Sequence, residues 1–374
     1  MYGAPRSLLI AAHALGTDFD VEIFTYGQGE LVTAAHEMGI PITVINEISW
    51  DWLSTGGEFS RFVRAVLRRT SAIPLFMHTM WVLKKKTPDL VYVNTVANAN
   101  PVRLSRLLGL DVLVHVREGA DYIFSQNLRR KKISGYIFKN VDSFICVSEA
   151  VKKLVLRRLD GRNAIVNVVH NGIDCAEFRA ASSETIDMSV NQGRKVVGFL
   201  GNVSKRKGID IFLTAAKELS EKRNDVIFMV VGGESKVFTD FAREAGIEGL
   251  IDKFVFHKQF IRSPQTALKM FDIFCMTSLI EPFARVNLEA ACFQKAIIAT
   301  NVDGNPEFVI DGITGLLIPP NDPQSLVQSI GQLLDDEQMR GKLGFNASQR
   351  VQNEFTVEKY VHGIRSHINA IFNG

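Results

Sequence analysis

Two glutamates, Glu281 and Glu289, stand with seven residues between them in the run from Phe271 to Cys292. Asp272 to Met276 is a short apolar run with the length of an interior parallel strand. Thr277 to Pro282 then breaks the pattern. Pro282 suits the first turn of a helix, because its missing N–H would be unpaired there anyway. Ala284 to Phe293 are good helix formers. This reading puts both carboxylates at the carboxyl end of a strand, the edge where open parallel sheets bind ligands. The amides of Phe283, Ala284, Arg285 and Val286 would lead the helix and favour an anion. Carboxylates beside an anion seat repel phosphate and suit hydroxyls. Acid for hydroxyl and amide for phosphate together point to a sugar nucleotide, although the two glutamates alone would also fit a general acid and base pair.

The rest of the chain must position that stretch. At 374 residues it is too long for one ordinary core, so two domains are expected. With 46% apolar and 22% charged residues the composition is that of a soluble globular protein. No signal peptide or long apolar span is visible, which together with the cysteines suggests a cytoplasmic protein. Cys146, Cys175, Cys275 and Cys292 form no CxxC pair, and the expectation is reduced, buried thiols. Net charge is +3 but uneven: residues 1–175 carry +5 and the remainder −2. A mildly basic first half suits an acidic acceptor or an anionic membrane surface, and equally an ordinary solvated face. Residues 59–86 are basic and aromatic, with Arg61, Arg64, Arg68, Arg69, Trp81 and Lys84 to Lys86. They fit a core-packed helix with a solvated side first, and a membrane-surface helix second.

Strand and helix alternate through both halves. Leu8, Leu9, Ala12 and Leu15 make a helical apolar face after a small loop at Gly3, and no strand feeds that loop. The fold class read from this rhythm is α/β, two tandem Rossmann-like domains facing a cleft, the N-terminal one without its first strand. The boundaries are 1–175, a polar linker at 176–194, a second domain at 195–355, and a final helix at 356–374 packing back towards the first domain.

Three runs carry a family resemblance: Val197 to Asp210 with Lys207-Gly208, Glu281 to Ala290, and Asn301 to Pro319 with Pro306-Glu307 and Gly312-Ile-Thr-Gly315. They resemble the C-terminal domain of GT-B glycosyltransferases, specifically the retaining family 4 group, whose E-x7-E signature Glu281 and Glu289 match. Cys146-Val-Ser-Glu-Ala150 and His170-Asn-Gly-Ile-Asp174 are similar to its domain-junction motifs. An isolated E-x7-E is weak; the ordered set is specific, and covers residues 141–350. The resemblance implies Lys207 as a diphosphate clamp, Glu289 on the ribose hydroxyls, and Glu281 near the donor sugar, where a carboxylate favours an oxocarbenium-like transition state. Asn202 stands where the family usually has arginine, and Ala284 where it often has glycine; Lys205 or Arg206 are candidates to replace the missing charge. Phe283, Arg285 and Val286 are further donor contacts.

In the first half, Gly3 resembles the glycine loop facing the diphosphate. His115 and Arg117 share one side of the strand ending at Glu118; Arg117 is favoured for the slot near the donor sugar, with His115 as a buried histidine. Tyr2, Arg6 and Asn94 are acceptor-side candidates. Asp18-Phe-Asp20 precedes a strand and reads as a turn rather than a metal motif. Gly198-x-x-Gly201 and Gly232-Gly233 lack a G-x-G-x-x-G pattern, which disfavours a dehydrogenase.

The resemblance implies a hexosyltransferase without metal or cofactor, using a UDP- or GDP-sugar. The acceptor would be a glycan, lipid-linked or small-molecule hydroxyl in a surface-polysaccharide or glycolipid pathway. Peripheral contact with an anionic membrane stays open, and no nucleic-acid partner is expected. The alternatives are a non-catalytic sugar-nucleotide-binding module, or a phosphorylase or epimerase of the same fold.

Overall fold

Strand and helix alternate in both halves of the computed structural model, and every strand pair is parallel. The structure describes residues 3–45, 76–180, 191, 193–259 and 263–373. The first half holds α1 (Gly3–Leu15), β1 (Ile23–Tyr26), α2 (Glu30–Glu37), β2 (Ile42–Ile45), α3 (76–86) and β3 (Leu90–Val93). It continues through α4 (Asn100–Leu108), β4 (Asp111–Val116), α5 (Ala120–Ile123), α6 (Leu128–Asn140), β5 (Ser143–Cys146), α7 (Glu149–Leu159), β6 (Ile165–Val168) and α8 (Cys175–Ala180). Strands β3-β4-β5-β6 form one sheet in that order, while β1 and β2 pair apart from it. Among the described residues no strand precedes α1. Gly3 is the first residue of that helix rather than part of a loop before it. Of the basic stretch 59–86, residues 59–75 lie outside the described residues.

The second half runs β7 (Lys195–Leu200), α9 (Ile209–Lys222), β8 (Val226–Val231), α10 (Ser235–Ala245), β9 (Val255–Lys258) and α11 (Pro264–Met270). Then follow β10 (Ile273–Met276), α12 (Arg285–Cys292), β11 (Ala296–Thr300), α13 (Asn305–Phe308), β12 (Leu316–Ile318), α14 (Pro323–Asp335) and α15 (Glu337–Glu354). The sheet order is β12-β11-β10-β7-β8-β9. Chain order reverses between β7 and β10, and their carboxyl ends therefore open the crevice where doubly wound sheets take ligands. Strands β8, β10 and β11 are buried along their whole length, which is why they read as continuous apolar runs rather than alternating ones. Residues 176–180, taken as linker from their polarity, belong to α8; residues 181–190 lie outside the described residues.

The last helix, α16 (Val357–Phe372), leaves the second half and joins the first. Its Tyr360, Ile364 and Ile368 pack with Ala11 and Leu15 of α1 and with Leu113, Ile145 and Val169. Thr356 caps it by accepting from the Lys359 amide at 3.2 Å. Near its far end the buried His367 sets Nε2 at 2.7 Å from the Ser143 hydroxyl, while the Asn167 amide nitrogen approaches Nδ1 at 2.9 Å.

Burial pushes His367 down to about 4. In the unfolded chain a histidine binds its proton near pH 6.5. Between those values the unfolded state holds more protons, so stability rises with pH. The helix anchor is complete above about pH 6.5 and weakens by up to roughly 3 kcal/mol as pH falls towards 4. Urea unfolding at pH 7.5 and at pH 5 should therefore differ more for the wild type than for His367→Asn. Equal differences would show that His367 does not carry the acid sensitivity.

Candidate active site

The loop after β7 is locked onto the loop after β10. A short 3-10 turn, Lys205–Lys207, ends at Gly208, whose φ of 66° is left-handed. A Cβ at Gly208 would stand 1.9 Å from the Thr277 carbonyl oxygen, so only glycine permits this approach. The Thr277 hydroxyl lies 3.0 Å from the Lys207 carbonyl and 2.9 Å from that of Gly208. Arg206 donates to the Ile280 carbonyl at 3.0 Å. Its guanidinium is thus tied to the loop, while Asn202 is exposed.

This lock brings the Lys207 ammonium 2.5 Å from Glu281 Oε2, and the Ser278 hydroxyl donates to the same oxygen at 3.0 Å. A third loop fixes the backbone: the Glu281 amide donates to Asp303 at 2.9 Å, and the Gly304 amide to the Glu281 carbonyl at 3.1 Å. A Cβ at Gly304 would fall 2.1 Å from the Pro282 carbonyl oxygen. Burial pushes the Asp303 carboxyl up, against the pull of the Glu281 amide. Glu281 itself is buried.

These restraints change one local expectation. Pro282 is not in the first turn of the helix; Ala284 is the residue before it, in extended conformation, and α12 begins at Arg285. The anchoring of Glu281 to Asp303 and Gly304 keeps residues 281–284 out of the helix. First-turn amides have no intrahelical acceptor, so those of Arg285 and Val286 lead the helix, four residues on from Glu281. The Phe283 side chain is buried between His170 and Phe355, with ring centroids at 5.0 and 5.8 Å. The half-buried Val286 and the buried Ala284 complete this turn.

Glu289 lies within α12, buried. Its Oε1 meets Arg285 Nε at 3.2 Å and Arg6 Nη1, from α1, at 3.7 Å. Arg285 also donates to the Ser7 hydroxyl and the Gly172 carbonyl, each at 3.3 Å, so it joins the two halves. Burial pulls the Arg285 guanidinium below its ordinary value despite the neighbouring Glu289 charge.

The structure gives Arg117, the favoured first-half residue, three polar partners. Its Nε donates to Asn94 at 2.7 Å, Nη1 to Asn171 at 2.9 Å and Nη2 to Tyr360 at 2.8 Å. It is a strut between the first half and α16, because the strand side it shares with His115 faces that helix. His115 is fully buried against Tyr92, with desolvation first and the Arg117 charge second driving it well below its ordinary value. Asn94, an acceptor-side candidate, is engaged by Arg117 and donates to the Ala4 carbonyl at 3.1 Å. Arg6 reaches the donor side instead, on Glu289; Tyr2 lies outside the described residues. Asp18 belongs to a turn before β1 and pairs with Arg365.

Beside Arg117 stands Glu118, whose chain neighbour approaches the loop after β10. It follows Arg117, and a Cβ on the next residue, Gly119, would lie 2.9 Å from the Ile280 side chain. Its carboxylate accepts from the Thr95 hydroxyl and from the amides of Val96 at 3.2 Å and Arg117 at 3.0 Å. Burial nevertheless pushes its carboxyl up. The sequence signal was its place at the strand's end, beside the residue preferred over it.

Two fastenings hold the halves around this cleft. Glu307 of α13 accepts from His170 Nε2 at 2.7 Å and from the amides of Glu149 and Ala150 at 2.9 Å each, capping α7 from the other half. Burial would raise this carboxyl, but those bonds outweigh it and hold it below its ordinary range. The second is a disulfide between Cys175 of α8 and Cys292 at the end of α12. It overturns the reduced-thiol expectation for this pair, because a separation of 117 residues concealed their proximity. Cys146 and Cys275 are free and buried.

Known proteins with this organisation can now be compared. The family described as Glycosyltransferase Family 4 matches residues 3–177, and the one described as Glycosyl transferases group 1 matches residues 184–350. The chain belongs to the family 4 glycosyltransferases of the GT-B fold. It is 30% identical over 250 residues to the D-inositol 3-phosphate glycosyltransferase of Corynebacterium urealyticum, a match taking in 62% of this chain and 58% of that protein. It is 28% identical over 239 residues to the putative glycosyltransferase YtcC of Bacillus subtilis, covering 59% and 58%. The match thus spans less than two thirds of the length of these relatives. In structure it is similar to Anabaena HepE in complex with UDP-glucose, with a TM-score of 0.79, 19% identity, and coverage of 99% of this chain and 96% of that one. Sucrose-phosphate synthase from Thermosynechococcus elongatus shares the fold at a TM-score of 0.73 and 17% identity, over 97% and 92%.

Both fastenings are open to measurement. Glu307→Ala leaves a histidine and two amides without their acceptor, at a cost of roughly 2–4 kcal/mol. Because the folded pKa is depressed, this stabilisation is present above the ordinary carboxylate range and is lost as pH falls through it. Chemical unfolding of the variant should show reduced stability at pH 7 and a smaller loss on acidification. For the disulfide, a non-reducing digest should yield the Cys175 and Cys292 peptides linked. By the chain-entropy account, closing a loop of this length is worth about 4–5 kcal/mol, so Cys292→Ser should lower the melting temperature under oxidising but not reducing conditions.

Proposed function

We propose that the chain transfers a sugar from a nucleoside-diphosphate sugar to a hydroxyl acceptor, with retention at the anomeric carbon and without a metal ion. The observation that carries this reading is the Lys207–Glu281 pair at the β7/β10 switch point, just ahead of the start of α12. Of Lys205, Arg206 and Lys207, only Lys207 has a buried carboxylate partner among the described residues, and a diphosphate would share its ammonium. The amides of Arg285 and Val286 add donors at the positive end of the helix. Glu289 would accept from the ribose diol through Oε2, with Arg285 and Arg6 steadying Oε1. A UDP-sugar is favoured because HepE, alike in fold, holds UDP-glucose.

In the proposed reaction the bond from the anomeric carbon to the diphosphate oxygen breaks and one to the acceptor oxygen forms on the same face. The acceptor proton passes to the departing diphosphate. Lys207 and the helix amides hold the charge that grows on that leaving group, and Glu281 faces the positive charge that grows on the sugar. The acceptor, a glycan, lipid-linked or small-molecule hydroxyl, would enter from the first half past Glu118. No described helix is long and apolar enough to cross a membrane. Peripheral contact with an anionic membrane is supported by α3, which exposes Trp81 and Met77 beside Lys84, Lys85 and Lys86.

Lys207→Ala and Glu289→Ala should each lower nucleoside-diphosphate release from UDP-sugars by about 100-fold or more, with circular dichroism unchanged. Wild-type rates in both folded variants would remove the site assignment.

A further inference from the structure

A second cavity, of about 660 Å³, opens on the first half, away from Lys207 and Glu281. Tyr26 at the end of β1, Asn98 of the loop after β3, Asn100 and Arg103 of α4, and Arg129 and Lys132 of α6 line it. The described lining holds three cations and no carboxylate. Arg103 is held in place by the Tyr136 ring, 4.9 Å from its guanidinium carbon, and by Asn100 at 3.4 Å. Arg129 and Lys132 make no ion pair with a described residue, whereas Arg130 between them turns away over Tyr122 at 5.3 Å. The leading amides of α6 are not the attraction here: Asn127 already accepts from those of Arg129 and Arg130, at 3.1 and 3.2 Å. The convergent charge is therefore carried by side chains.

We propose that this cavity seats a phosphate group of the acceptor, a deepening that rests on the glycosyltransferase reading above. Three like charges around one concavity repel each other, and a doubly charged anion placed between them reverses that term. Planar guanidinium forks match phosphate oxygens two at a time, and a lysine adds a point charge. The cavity is also coupled to the cleft. The loop from Asn94 to Ala99 lines it at one end, and at the other presents the Thr95 hydroxyl and Val96 amide to Glu118. A phosphate seated there lies behind the acceptor's reacting hydroxyl, not at it, and orients the acceptor towards the donor. Leu128, 74% exposed on the rim, sets an apolar surface beside the cations. Phosphate of this kind comes from a soluble sugar phosphate or from a lipid-linked one.

The test compares wild type with Arg129→Ala/Lys132→Ala, both saturated with UDP so that the donor site is filled. The probes are a hexose 1-phosphate, the matching methyl hexoside, and phosphatidylcholine vesicles with and without a polyprenyl phosphate. Losing two charged contacts should weaken the phosphate-bearing probe about tenfold or more. UDP affinity, the methyl hexoside and plain vesicles should not respond. A difference with the hexose 1-phosphate assigns a soluble source; one confined to polyprenyl phosphate vesicles assigns a lipid-linked source. If neither phosphate probe distinguishes the two proteins, the proposal is overturned. Failure of the donor reading shows separately, as a wild type that does not bind UDP; the phosphate arm then still reads without nucleotide.

Discussion

The site depends on the contact between Thr277 and Gly208. One hydroxyl accepted by two consecutive carbonyls, and one missing Cβ, hold the loop after β7 against the loop after β10. Without that approach Lys207 would sit on a free surface turn, and its ammonium would not reach Glu281. Gly304 repeats the device on the other side, pressing the loop after β11 onto Pro282. Three strand ends are thereby drawn into one crevice. The parallel sheet provides the stiffness, since strands β8, β10 and β11 are buried on both faces and cannot shift register without moving the core.

The same geometry explains why the two glutamates differ. Glu281 is set in a loop and touches one cation, a serine hydroxyl and, through its own amide, Asp303. Glu289 is set in a helix between two arginines, one from each half of the chain. In the proposed reaction one carboxylate would face the sugar and the other the nucleotide, with the helix start between them. The halves are joined by Arg285, Glu307, the Cys175–Cys292 bond and α16, each of which crosses from one sheet's territory to the other's.

Legibility in the sequence followed the range of the interaction. The α/β alternation and the buried strands of the second half could be read from runs and spacing, while the grouping of Lys207, Glu281 and Glu289 was implied by the family resemblance. Arg117 could not be placed by the same means. Strand alternation correctly put it on one side with His115, but not what covers that side. The cover is Tyr360, which follows Arg117 by 243 residues. The disulfide was hidden in the same way, and Pro282 was misplaced because Asp303 and Gly304, distant in sequence, hold its neighbours out of the helix.

The sequence by itself determined the periodicities, the glycines at points of close approach, and an ordered set of motifs specific enough to indicate a sugar-nucleotide site. These are local properties: a strand's burial, a helix's first turn and a glycine's freedom are written in a few consecutive residues. Only the tertiary structure decided which charges meet. Lys207 with Glu281, Arg6 with Glu289, and Arg117 with Tyr360 are outcomes of packing between segments up to hundreds of residues apart. Electrostatic partners act over a few ångströms of space, whatever the length of chain between them.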